Sequence, residues 1–109
     1  MFLVNMNADR DGTCLVGNVV CRYKDLERAF GKPIEADGYK VSGEWVFISR
    51  DGKRVFTVYD WKMTSLYDED YPSVDQFRSS DKRVMFNIGG EYGTDSKEFE
   101  AWLSKQIGG

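Results

Sequence analysis

Asp51-Gly52, set between two runs of aromatic and β-branched residues, constrains this chain more than any other feature. Asp-Gly so flanked is a strong signal for a two-residue type I′ hairpin turn. Residues 39–49 and 54–62 are then antiparallel strands, and the turn sets their register. Arg50 faces Lys53, Ile48 faces Val55, Phe47 faces Phe56, Val46 faces Thr57, Trp45 faces Val58 and Glu44 faces Tyr59. One face carries Trp45, Phe47, Phe56 and Val58; the other carries Val46, Ile48, Val55, Thr57, Tyr59 and Trp61. A hairpin with one wet face alternates apolar and polar residues, but this one is apolar on both sides. Helices can cover one face. The other requires a partner subunit or a ligand pocket, which predicts a homo-oligomer. The competing reading is a monomer in which helices and an N-terminal hairpin sandwich the sheet.

The remaining elements fall on either side of this hairpin. Phe2-Leu3-Val4 and residues 13–21 are strand-like, with turn chemistry at 7–12 between them, and read as an N-terminal hairpin. Gly17-Asn18 marks a bulge or bend in the second run. Tyr23, Leu26, Ala29 and Phe30 share helical spacing, Gly31 ends that helix, and Pro33 blocks its continuation. Asp37-Gly38 is a further turn. Residues 63–80 form a long polar loop with one helical turn at 73–77, and residues 82–88 form a strand that Gly89-Gly90 stops. Asp95 and Glu98 have capping-box spacing ahead of a last helix, whose apolar stripe is Phe99, Trp102, Leu103 and Ile107. The expected fold is α+β: a mainly antiparallel sheet with a central Asp-Gly hairpin and two short helices. With 109 residues the chain is long enough for one core, so residues 1–109 are read as a single domain.

Several classes of function are excluded by composition. The chain has no histidine, so Ser-His-Asp and Cys-His catalysis and His-containing zinc sites are out. Cys14 and Cys21 cannot make a four-thiolate site and match no redox motif; they are read as buried free thiols, with a single disulfide as the alternative. Asp68-Glu69-Asp70 and Asp75 lack the alternation and turn glycine of a calcium loop. No metal, no cofactor and no catalytic residues are therefore expected. The net charge of −3 disfavours long nucleic acid as a partner. The longest apolar run, residues 45–48, is too short for a membrane span or signal peptide, which leads to a cytoplasmic reading. Aromatic residues make up 15% of the chain, more than a core of this size needs, so some should face a ligand or partner.

Tyr59-Asp60-Trp61-Lys62 combines two aromatics, an acid and a base at a strand end. Such a set can stack a nucleobase and meet a phosphate; the plain alternative is a core Trp beside a solvated Lys. Gly89-Gly90 would let backbone N–H groups approach an anion, or is a simple turn. Glu44, opposite Tyr59, must find a partner if buried: the Tyr59 hydroxyl, Lys40 or a base edge.

Four motifs in order carry a resemblance. They are Phe30-Gly31-Lys32-Pro33; Asp37-Gly38-Tyr39-Lys40 followed by Glu44-Trp45; Thr57-Val58-Tyr59-Asp60-Trp61-Lys62; and Phe86-Asn87-Ile88-Gly89-Gly90. Together they resemble a family of short bacteriophage proteins that includes anti-CBASS sponges, which bind cyclic nucleotide defence signals without cleaving them. The resemblance spans residues 23–107. Phe86 stands where the family pattern has Trp, and residues 1–21 lie outside the pattern as an N-terminal strand elaboration of the 22–109 core. It implies a homo-oligomeric immune-evasion protein in the cytoplasm of an infected bacterial host, not an enzyme, with a cyclic nucleotide as ligand and no membrane partner. Trp45, Tyr59 and Trp61 would stack bases, Lys40 and Lys62 would meet phosphate, Gly89 and Gly90 would donate backbone N–H groups, and Glu44 or Asp60 would read a base edge or ribose hydroxyl. The rival function is a phage-encoded protein–protein inhibitor of a host enzyme.

Overall fold

A computed structural model describes residues 2–35, 41–61 and 64–108. Among these, five strands form one antiparallel sheet: β1 (Phe2–Val4), β2 (Cys14–Cys21), β3 (Glu44–Ser49), β4 (Val55–Tyr59) and β5 (Val84–Gly90). Three helices accompany it, α1 (Tyr23–Phe30), α2 (Val74–Ser79) and α3 (Lys97–Gly108). The expected α+β fold is present, and the short helical turn expected in the long loop is α2. No helix among the described residues is long and apolar enough to cross a membrane.

The strand order is β1-β3-β4-β5-β2. The β3–β4 register is as the Asp-Gly turn predicts, with Phe47 opposite Phe56 and Glu44 opposite Tyr59. The turn itself differs. Gly52 N–H donates to the Ser49 carbonyl, and Asp51 Oδ1 accepts from the Ser49 hydroxyl and the Lys53 N–H. Four residues, 50–53, thus make the connection rather than two, and Gly52 takes the φ of 74° that a side chain disfavours. The register survives because Ser49 N–H still bonds the Arg54 carbonyl.

The N-terminal hairpin does not form. β1 pairs with β3 at one edge and β2 pairs with β5 at the other. Local turn chemistry at residues 7–12 does not outweigh what each strand gains elsewhere: β1 places Phe2 against Phe56 and Phe99 beside β3, and β2 pairs with β5 along nearly its whole length. Residues 5–13 must therefore cross the sheet. They do so on the face away from the helices, because Arg10 meets Glu44, whose side chain shares that face with Tyr59.

The other face holds the core. Phe2, Trp45, Phe47, Phe56, Val58, Phe86 and Ile88 from the sheet meet Leu26, Phe77, Phe99 and Leu103 from the helices. Phe99 stacks on Phe56 with ring centroids 4.6 Å apart, and Phe2 and Phe47 each approach it at 5.2 Å. Much of the aromatic excess is thus spent inside the molecule. The expected capping box of Asp95 and Glu98 is not made. Asp95 Oδ1 accepts from Lys97 N–H, while Glu98 reaches Arg54 at 3.1 Å.

Gly89-Gly90 does not stop β5 but completes it, and neither glycine takes a positive φ. A Cβ on Gly89 would lie 2.5 Å from Thr57 Oγ1, and one on Gly90 would press to 3.2 Å from the Phe56 ring. The pair is needed for close packing within the sheet.

Both cysteines are free, but only Cys21 is buried; Cys14 is exposed. Burial, with Asp25 adding to it, pushes the Cys21 thiol up to about 12. Reactivity follows the thiolate. Alkylation of the folded protein at mildly alkaline pH should add one label, at Cys14, and unfolding should release the second site. Rapid double labelling of the native protein, read by mass spectrometry, would contradict this placement.

Candidate functional site

Alternation along β4 sends Tyr59 and Trp61 to the outer face, as expected, and their rings meet edge to face at 6.3 Å. Trp61 is 41% exposed. Glu44 lies on the same face, half-buried, with its carboxylate 2.6 Å from Arg10 Nε. Burial holds the Glu44 pKa above its ordinary value, and Arg10 offsets only part of the rise. The Tyr59 phenol is raised mainly by burial, while a hydrogen bond with the Asn87 side chain works against the rise. A guanidinium, a carboxylate, an amide and two aromatic rings are thus gathered at one end of the outer face. Arg10 was not legible as a site residue: it sits in a turn-like stretch, and only the crossing of residues 5–13 carries it to Glu44.

Other expected site residues go elsewhere. Trp45 is 1% exposed in the core, and its indole N–H donates to the Gly31 carbonyl at 2.8 Å, so it offers no stacking surface. Its neighbour Val58 points to the helices, and antiparallel pairing takes Trp45 with it. Asp60 is equally buried. It accepts hydrogen bonds from Ser42 N–H, Gly43 N–H and the Ser42 hydroxyl, all within 3.0 Å, and cannot read a base edge while it ties down that turn. Gly89 and Gly90 are in extended backbone and paired with Leu15 and Cys14, so they form no anion-binding nest. Lys40 and Lys62, together with the expected Asp37-Gly38 turn, lie outside the described residues.

The outer face is only partly covered. Val46 and Thr57 are fully buried on the side crossed by residues 5–13. Around them Leu3, Leu15, Val20, Trp61 and Met85 are each at least 40% exposed. Val20 is opposite Met85 in the β2–β5 pairing, two positions along from Asn18 opposite Asn87. This is an apolar margin on a sheet face that the helices do not reach.

A second concavity was not expected. A cleft of about 360 Å³ opens between α1, α2 and the start of β5, lined by Tyr23, Tyr71, Pro72, Phe77, Lys82 and Val84 among others. Among the described residues, its lining includes none of the site residues named from the sequence. The Arg78 guanidinium lies 5.1 Å over the Tyr23 ring behind it and donates to the Ser42 carbonyl, which ties α2 to the Asp60-held turn.

No protein-family profile matches the chain, and no curated protein matches it.

Asp60 supplies a direct check on this arrangement. Its pKa is raised, with burial as the main cause and the Gly43 and Ser42 hydrogen bonds opposing it. A carboxyl raised on folding adds stability that is full below its unfolded pKa and is lost as pH rises through the folded value. Asp60→Ala strands the Ser42 and Gly43 donors and should cost on the order of 1–3 kcal/mol. The deficit in urea unfolding should be larger near about pH 4 than near about pH 7. A deficit that grows with pH would contradict the placement.

Proposed function

We propose that this protein sequesters a cyclic oligonucleotide defence signal without cleaving it, as a homo-oligomeric bacteriophage immune-evasion protein in the cytoplasm of the infected bacterium. The observation that carries the reading is the pair Tyr59 and Trp61, side by side and partly open on the sheet face away from the helices, with Arg10 and Glu44 next to them. Bases stack on such rings whatever their identity, at about 1–3 kcal/mol per base. A guanidinium can pair a phosphate in two-pronged fashion, and a carboxylate can accept from a base edge or ribose hydroxyl. Lys62 follows Trp61 in the chain, and Lys40 precedes Val41; both remain candidates for phosphate contact. Sequestration asks for no nucleophile or general base, and a chain without histidine is suited to it.

The second reading, a protein–protein inhibitor, is favoured by one observation. The exposed apolar residues do not stop at Trp61 but continue through Met85, Val20 and Leu15, a margin broader than a nucleotide covers.

Calorimetric titration with cyclic GMP–AMP and related cyclic dinucleotides separates the two. The proposal predicts a tight complex from which intact ligand is recovered after denaturation. Trp61→Ala should weaken it by about 1–3 kcal/mol per stacked base with the fold retained. Lys62→Ala should weaken it by about 1.5–3 kcal/mol and reduce its salt dependence. Recovery of cleaved ligand would make the protein an enzyme, and absence of any complex would leave the inhibitor reading.

A further inference from the structure

β2 is the longest strand of the sheet and forms one of its edges. Its eight residues, Cys14–Cys21, include no charge and no proline. Edge strands that stay single in solution are ordinarily blunted by short length, lysine, proline, a bulge or a cover. The opposite edge, β1, is only three residues long. Among the described residues β2 has a single such device, the bulge between Leu15 and Gly17, and it is confined to one end. There the Val16 carbonyl accepts from the Ser96 hydroxyl, so the irregular backbone is satisfied within the chain. From Gly17 to Cys21 the strand stays in unbroken register with β5, so its other backbone edge faces outward.

Nor does α3 close over that edge. A cleft of about 230 Å³ stands between β2 and the C-terminal part of α3, lined by Val19, Val20, Cys21, Ser104 and Ile107 among others. Asn18 and Val20 point to the outer face and are exposed, while Val19 and Cys21 point inward.

We propose that residues 17–21 of β2 pair antiparallel with the same residues of a second copy, joining two five-stranded sheets into one. The run is its own complement. With Val19 on the two-fold axis, Asn18 faces Val20 of the second copy and Gly17 faces its Cys21, so outward residues meet outward residues and inward meet inward. No charge repels its like across the axis. The cleft beside Val19 receives the inward side of the second strand, and the apolar margins of the two outer faces, Val20 and Met85, become continuous. This inference rests on the homo-oligomer part of the proposed function and not on the identity of the ligand.

Two charged variants test it: Asn18→Lys with Val20→Lys, and Asn18→Glu with Val20→Glu. Both positions are exposed, and circular dichroism verifies that each variant keeps the fold. Like charges placed directly across the axis destabilise the pairing. Light scattering at micromolar concentration should give the wild type a multiple of the 12.5 kDa chain mass and each variant half the wild-type value. Mixing the lysine and glutamate variants should restore the wild-type mass. Hydrogen exchange should find alternate amides of residues 17–21, those not bonded to β5, protected in the wild type and fast in either variant alone. An oligomeric wild type whose mass survives in both variants, a mixture that stays at half mass, or fast exchange of those amides in the wild type would overturn the β2 pairing and leave the homo-oligomer reading in place. A monomeric wild type would overturn both.

Discussion

Pairing Phe47 with Phe56 decides where most of the later side chains go. Once that register holds, Trp45 and Val58 must join them toward the helices, and Val46, Thr57, Glu44 and Tyr59 must turn the other way. The helices answer only the first demand. Phe99 on α3, stacked on Phe56, anchors that layer, and a ring lost there would cost several kcal/mol. The second demand is met by a strand connection rather than a helix. Residues 5–13 pass from one sheet edge to the other, bury Val46 and Thr57, and bring Arg10 to Glu44. What they leave exposed is the outer face around Trp61 and the β2 edge.

The hairpin was legible because its signal is local and redundant: a turn dipeptide, two strands of matched length and a period of two. Its turn type was less so, because Asp51 can hold either a two-residue or a four-residue connection through its own side chain. The partner of β1 was illegible. Proximity in sequence argued for β2, but a three-residue strand stabilises itself best where Phe2 can reach Phe56 and Phe99, and that place is beside β3.

The candidate site was legible in part for the same reason. Alternation placed Tyr59 and Trp61 together correctly. It could not tell that Trp45 would be spent as a core residue with its indole bonded to Gly31, or that Asp60 would be taken up by the amides of Ser42 and Gly43. Residue type offers the chemistry, and only burial decides whether it is available to a ligand. Gly89 and Gly90 show the same ambiguity: a glycine pair serves an anion or a close side-chain contact equally well in sequence, and here Thr57 and Phe56 occupy the space.

The central claim is that the outer sheet face at Trp61, rather than the core or the α1–α2 cleft, receives the ligand. The chain has three tryptophans in three environments: Trp45 buried and bonded to Gly31, Trp102 packed against Phe99 and Phe30, and Trp61 open on the outer face. Their indole N–H resonances can be followed separately while cyclic GMP–AMP is added. The account predicts that the Trp61 signal moves and saturates with ligand while those of Trp45 and Trp102 hold their positions. A titration that shifts Trp45 or Trp102 and leaves Trp61 in place would contradict it.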